Sequence, residues 1–149
     1  GNLNSEIEVQ LQEMISKELI SSTEVEAVDI DKISGFYLSP LGLRLLQSEN
    51  IKKEVPFTLG IKAKELLSTD SEEIILLQGI IDCYFEEDDG IILLDYKTDY
   101  VSLGGADTIK KRYQKQISFY AKAIESITLK SVKEKYIYLF YNGETIVIR

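Results

Sequence analysis

Two apolar runs rich in β-branched residues, Ile74 to Phe85 and Ile91 to Lys97, are separated by Glu86-Glu87-Asp88-Asp89-Gly90, a short acidic turn that ends on glycine. Runs of this length around such a turn predict an antiparallel β-hairpin. Each strand carries a carboxylate in apolar surroundings, Asp82 on the first and Asp95 on the second, and Lys97 follows two residues after Asp95. The strand period of two sends Asp95 and Lys97 to one face and Tyr96 to the other. A desolvated Asp, Asp, Lys cluster is expensive, so these groups need one another or a metal ion to remain charged. Paired carboxylates of this kind suit a hard divalent cation.

The rest of the composition narrows which cation. The chain has no histidine and one cysteine, Cys83. Neither an internal disulfide, a zinc site nor an iron-sulfur cluster can be built from that inventory, so a metal must be held by oxygen, which favours Mg²⁺, Mn²⁺ or Ca²⁺. No EF-hand order of ligands and glycine is present, and no Walker A sequence, so neither a calcium loop of that type nor an ATPase is expected here. The net charge of −8 argues against a general nucleic-acid coat. Within that acidic chain, Lys110, Lys111, Arg112, Lys115 and Lys122 face a single acid, Asp107, over one predicted helix. Such a stripe is either a solvated helix face or a phosphate-facing patch. No apolar run approaches the roughly 18 residues that span a bilayer, and the first residues lack the layout of a signal peptide, so a cytoplasmic protein with no membrane partner is expected.

Along the chain, Ile7, Leu11, Met14, Ile15 and Leu19 fall at helical spacing behind a Ser5-x-x-Glu8 capping box. A second helix is predicted from Thr23 to about Gly35, and a short third one from the Ser39-Pro40 start through Leu41, Leu45 and Leu46. From Ile51 the period becomes two, with Val55, Phe57, Leu59 and Ile61 alternating with polar residues, and Pro56 marks an edge strand or a bulge. Ser68 to Glu73 reads as a turn and Thr98 to Asp107 as a loop. Thr108 to Ile127 has the pattern of a long amphipathic helix. Asn142-Gly143 between Tyr136–Tyr141 and Glu144–Ile148 predicts a closing hairpin. The long helix is a natural right-handed crossover, making the strand of Asp95 and that of Tyr136 parallel. The expected fold is α/β, a mixed β-sheet flanked by helices, in one domain over 1–149. Residues 1–50 would form a helical layer and 51–149 the catalytic core.

Gly79-Ile-Ile-Asp82, Asp95-Tyr-Lys97-Thr-Asp99 and Gln116-x-x-x-Tyr120, taken together, resemble the PD-(D/E)xK nuclease superfamily in its RecB-like branch. Lys53-Glu-Val-Pro-Phe57 resembles the strand before the hairpin in that branch. The likeness covers roughly Ile51 to the end and is nearest to the C-terminal nuclease domain of the bacterial AddA-type helicase-nuclease family. It implies a restriction-endonuclease-like core and a Mg²⁺-dependent deoxyribonuclease, with Mn²⁺ able to substitute. It further implies an exonuclease acting in double-strand-break end resection and recombinational repair, as a fragment of a larger helicase-nuclease.

On this resemblance Asp82, Asp95, Lys97 and Glu54 are the catalytic group. Asp82, Asp95 and the main-chain carbonyl of Tyr96 are metal ligands, joined by Glu54 directly or through water. Gln116 and Tyr120, with Lys110, Lys111, Arg112 and Lys115, would contact DNA. Tyr113 reads as packing, and Asp99 and the acidic turn as solvated carboxylates. The implied partners are single DNA strands from an unwound duplex, the helicase part of the same polypeptide and a sister helicase-nuclease chain. The related nucleases usually add a histidine ligand from an upstream helix, and this chain has none. Two other readings remain: a stand-alone exonuclease or restriction-type enzyme of the same superfamily, and a catalytically degenerate DNA-holding or protein-docking domain.

Overall fold

A computed structural model describes residues 30–100 and 105–149 of the chain. The expected helix over Ser5–Ile20, its capping box and the start of the second helix lie outside the described residues. In chain order the elements are α1 (Ile30–Leu38), α2 (Pro40–Gln47), β1 (Ile51–Lys62), α3 (Ala63–Leu66), β2 (Ile74–Glu87), β3 (Gly90–Lys97), α4 (Gly105–Thr128), β4 (Val132–Leu139) and β5 (Glu144–Ile148). The five strands form one sheet in sequential order. All neighbours are antiparallel except β3 and β4, which run parallel across the α4 crossover, as the sequence predicts.

Each face of the sheet carries its own apolar layer. Ile33, Phe36 and Tyr37 of α1 and Leu41 and Leu45 of α2 pack on Cys83, Phe85, Ile92, Leu94, Tyr96, Tyr138 and Phe140. On the other face Ile109, Ile117, Ala121 and Ile124 of α4 pack on Ile81, Tyr84, Ile91, Leu93, Ile137 and Leu139. The central strand β3 is therefore covered on both sides, and Ile91 to Tyr96 are all buried. Each buried Ile or Leu contributes roughly 1.5–3 kcal/mol, so this strand carries a large share of the core.

Several elements differ in length from their sequence patterns. Helix α1 passes through Gly35 and ends at Leu38. The cost of about 1 kcal/mol for a helical glycine is outweighed by burying Phe36 and Tyr37 in the next turn. Ser39 then caps α2 by accepting from the Gly42 amide at 3.1 Å, with Pro40 at the first helical position. Gly42 is obligatory in another way, since a Cβ there would lie 2.1 Å from the Phe36 carbonyl oxygen. The strands β2 and β3 extend into the acidic turn and leave only Asp88 and Asp89 between them. The Asn142-Gly143 pair sits within a four-residue connection, Phe140 to Gly143, because Leu139 pairs with Glu144. Gly143 supplies its left-handed residue at φ +73°. The short helix α3 lies in what the sequence presents as the approach to a turn, and α4 starts three residues before Thr108.

β1 is one edge of the sheet, in keeping with Pro56, and it is also irregular. Between the Lys53–Cys83 and Val55–Ile81 pairs, Glu54 lies opposite Asp82 with a φ of +50°. A non-glycine residue in that region is strained by about 1–2 kcal/mol. Its consequence is visible in the packing. Ile51 joins the α1/α2 layer, whereas Val55, Phe57 and Leu59 join the α4 layer, although all are odd-numbered. β2 does the same, with Cys83 and Phe85 on one side and Ile81 on the other. Both strands change face at the Glu54–Asp82 step.

At the far end of the hairpin the acidic turn is not simply solvated. Arg44 of α2 donates to both carboxylate oxygens of Glu87, at 2.9 and 2.7 Å, and to both of Glu134, at 2.9 Å each. Lys133 pairs with Glu87 at 3.0 Å and also with Asp89, and Lys130 pairs with Glu86. The Arg44 guanidinium, its bond outweighing the cost of burial, holds the Glu87 carboxyl at about 2. A lowered folded-state value means that the pair stabilises fully above the unfolded value of about 4.5 and loses its effect as pH falls from there to about 2. Arg44→Met should therefore destabilise the fold by about 1–3 kcal/mol at pH 7, the range for hydrogen bonds to charged groups at a partly exposed site. In urea titrations the gap to the unaltered chain should stay constant from pH 7 to about 5 and shrink below it. A gap independent of pH down to about 2.5 would show that Arg44 contributes only through packing.

Candidate functional site

Alternation from Tyr84, which packs in the α4 layer, puts Asp82 on the α4 side of the sheet beside the end of β3. Its Oδ2 accepts from the main-chain N–H of Tyr96 at 3.0 Å. It is thus the Tyr96 amide that the structure engages with this carboxylate, while the Tyr96 ring lies in the α1/α2 layer. Asp95 shares the α4-side face of β3 with Ile91 and Leu93, and only 2% of it is exposed. Its Oδ2 is 2.9 Å from Lys97 Nζ, an ion pair by distance, yet no donor is aligned on that buried oxygen for a hydrogen bond.

Burial, then the neighbouring charge of Asp82, push the Asp95 carboxyl up to about 7 against the opposing pull of Lys97. Lys97 is in the opposite position. Burial disfavours its charge, but the Asp95 carboxylate outweighs this and holds the ammonium above its ordinary range.

α4 completes the enclosure with one stripe of side chains at i, i+3 and i+7. Lys97 Nζ donates to Gln116 Oε1 at 3.2 Å and stands 4.1 Å from the centroid of the Tyr113 ring. An ammonium at that distance from an aromatic face is attracted by the ring quadrupole. Tyr113 Oη donates to Asp99 Oδ2 at 2.8 Å, and the same oxygen is 2.6 Å from Arg112 Nη1. Tyr120 packs edge-to-face on Phe57 with centroids 5.3 Å apart. Burial and then the Asp95 charge raise its phenol above the ordinary value.

The sequence-predicted residues thus divide. Asp82, Asp95, Lys97 and Gln116 form one contact network, and the Tyr120 hydroxyl feels its charges. Glu54 stands across from Asp82 in register but is exposed, and among the described residues no three acidic, cysteine or histidine side chains converge. Lys111 is exposed on α4 and Lys110 partly so. Lys115 donates to the Leu66 carbonyl at 3.3 Å, and Arg112 is committed to Asp99. Two residues do more than their sequence pattern implies. Tyr113 is a wall of the Lys97 site as well as a packing residue, and Asp99, which the sequence presents as a solvated acid, anchors that wall. The spacing Tyr113, Gln116, Tyr120 on one helical stripe was the available signal.

This donor set suits a hard divalent cation: two carboxylates forced together, with one buried oxygen lacking a directed donor. The same crowding generates a pH dependence. A folded-state value raised from 3.8 to about 7 means that the protonated Asp95 is compatible with the fold, and stability from this group is lost as pH rises between those values. In chelator, Asp95→Asn should therefore be more stable than the unaltered chain at pH 8, by an amount on the order of a few kcal/mol, with the gap closing toward about pH 4. Thermal melts across that range test it. A variant that is less stable at the alkaline end would mean that the Lys97 attraction outweighs burial and Asp82.

No protein-family model matches the chain. Among curated proteins it is 49% identical over 146 residues to an AddA-type ATP-dependent helicase/nuclease of Acetivibrio thermocellus, covering 95% of this chain and 12% of that protein. It is 48% identical over 144 residues to the protein of the same name in Thermoanaerobacter pseudethanolicus, covering 94% of the chain and 12% of the relative. The corresponding protein of Ruminiclostridium cellulolyticum is 46% identical over 148 residues, with 96% and 12% covered. The chain spans about an eighth of the length of these relatives. Identity of this degree over nearly every residue shows that the chain belongs, as one segment, to the AddA family of ATP-dependent helicase/nuclease proteins.

Proposed function

We propose that this segment is the nuclease domain of such a helicase/nuclease, a metal-dependent deoxyribonuclease of the PD-(D/E)xK type that hydrolyses phosphodiester bonds in single DNA strands. The observation that carries this reading is the buried Asp95 carboxyl, crowded by Asp82 and paired with a lysine that α4 holds in place. A cluster retained for stability alone would be poorly designed, because apolar residues of similar volume do as well without the desolvation cost.

Asp82 and Asp95 would hold Mg²⁺ or Mn²⁺, which when bound supplies charge neutralisation at a phosphodiester and a more acidic water. Lys97, kept protonated by Asp95, presents a compact cation to the phosphate oxygens and a hydrogen-bond donor to the water beside them. Gln116 and the Tyr113 ring are positioning groups that fix its ammonium, and Asp99 fixes Tyr113 in turn. Lys110 and Lys111 on α4 offer charge to the flanking phosphates. The names of the relatives, each a subunit of an ATP-dependent helicase/nuclease, support a helicase elsewhere in the same polypeptide and a further subunit beside it. In our reading that helicase delivers unwound strands during double-strand-break repair.

The test is a cleavage assay on labelled single-stranded DNA with Mg²⁺, beside calorimetry of metal binding. Asp95→Ala should abolish both cleavage and metal binding. Lys97→Ala should lower turnover by roughly 10²- to 10⁴-fold, the usual span for a proton-transfer or charge-stabilising side chain, while metal affinity stays nearly unchanged. Cleavage that survives Asp95→Ala would sink the site. A metal affinity that collapses in Lys97→Ala would remove the role given to the lysine.

A further inference from the structure

Beyond the carboxylates and α4, the ends of the parallel strands carry an aromatic pair that the nuclease reading does not use. Tyr100 is 72% exposed and Tyr141 41%, and their rings meet edge-to-face with centroids 4.7 Å apart at an interplanar angle of 63°. The Lys32 ammonium lies 5.9 Å from the Tyr141 centroid. The other edge-to-face pairs among the described residues, apart from Phe57 with the half-buried Tyr120, are formed by buried rings and belong to the core. This one stabilises little of the fold while keeping two large rings in water.

Its position ties it to the candidate site. Tyr100 follows Lys97 by three residues, a span of at most about 11 Å of extended chain. Tyr141 follows Phe140, whose N–H donates to the Lys97 carbonyl at 3.0 Å. Both rings therefore hang from the carboxyl ends of β3 and β4, where α/β sheets place their ligands. In a chain of net charge −8, general electrostatic attraction contributes little to holding a polyanion, so contacts that do not depend on charge gain weight beside the α4 lysines. Exposed tyrosine rings offer such contacts, because every nucleobase has a π-face to stack on them, and a nearby lysine can meet the adjoining phosphate.

We propose that Tyr100 and Tyr141, with Lys32 beside them, form a stacking platform for an unpaired base of a single DNA strand whose backbone passes the Asp95–Lys97 site. The choice of DNA as ligand rests on the nuclease reading, but the stacking does not require cleavage. The platform is read by fluorescence anisotropy of a labelled oligothymidylate with the whole chain in EDTA, where no strand is cut. Tyr141→Ala and Tyr100→Ala should each weaken binding by roughly 5- to 100-fold, the measured worth of one base–aromatic stack. The Phe substitutions should bind nearly as the unaltered chain does, and Tyr141→Leu, which keeps the bulk without the π-face, should bind weakly.

An abasic strand should bind the unaltered chain as weakly as the Ala variants bind the intact strand, and those variants should lose nothing further on it. The abasic comparison holds even where a variant fails to fold. Equal affinity of Ala and unaltered chains, or equal affinity for intact and abasic strands, would overturn the platform. Cleavage with Mg²⁺ is scored separately. Cutting without any dependence on the two tyrosines removes the platform and leaves the nuclease, whereas tyrosine-dependent binding without cutting does the reverse.

Discussion

A strand buried on both faces can carry a carboxylate only if something offsets the loss of its water, and β3 carries Asp95 in its most buried stretch. The surroundings offset that loss only in part. Lys97 approaches within 2.9 Å, while Asp82 adds a second negative charge on the same side. The result is a carboxyl displaced to about 7, well above an ordinary aspartate. Perturbation by burial together with a specific like-charged partner is a common mark of functional sites, because structural packing gains nothing from it. The remaining features of the α4 face follow from this one demand. Gln116 and Tyr113 immobilise Lys97 so that one cation remains beside the carboxylates, and Asp99 with Arg112 steadies Tyr113.

Asp82 lies on the site's side of the sheet by simple alternation from Tyr84, and β2 changes face immediately after it in the direction of Ile81. Had β2 kept a strict period of two, Ile81 and Cys83 would share a layer, and they do not. The left-handed Glu54 on β1 absorbs the irregularity, at a strain of about 1–2 kcal/mol. An irregular edge has a second use, since a long flat edge strand is a template for unwanted pairing, and both Pro56 and the Glu54 kink interrupt β1. The same residue thus interrupts the edge and marks the step at which both outer strands change face.

Much of this was legible in the sequence where one physical signal dominated. The two β-branched runs around the acidic turn predict the hairpin, the long apolar stripe predicts α4, and the crossover rule predicts the parallel β3–β4 pair. Legibility failed where a local signal was overruled by packing. Gly35 has the look of a helix end, but Phe36 and Tyr37 have more to gain inside the core. Asn142-Gly143 has the look of a two-residue turn, but the register of Leu139 with Glu144 makes a longer loop in which only Gly143 is left-handed. The face change was hard to see because the only mark it leaves in β1 is the polar run Lys52-Lys53-Glu54 ahead of a regular alternation. In the site, Asp82, Asp95 and Lys97 follow from the hairpin pattern and Gln116 from the family resemblance, and Tyr113 shares the helical stripe of Gln116, whereas Asp99 acts through a contact with α4 that no spacing within one element encodes.

The two ends of β3, about 20 Å apart at the usual rise per residue, show how one hairpin serves stability and chemistry separately. At the Gly90 end every acidic side chain of the turn except Asp88 is matched by a cation, and Arg44 locks α2 onto Glu87 and Glu134. That end gains stability from its charges at neutral pH. At the Lys97 end, two carboxyls share one lysine and an oxygen is buried without an aligned donor. That end loses stability to its charges at the same pH. Ion pairs on the first hairpin end and two apolar layers around β3 make the loss tolerable, since a fold with a margin of some ~5–15 kcal/mol can carry a single strained site. A charge imbalance so localised, with two carboxyls and one lysine at the mouth of a parallel strand pair, is what a bound hard cation would relieve.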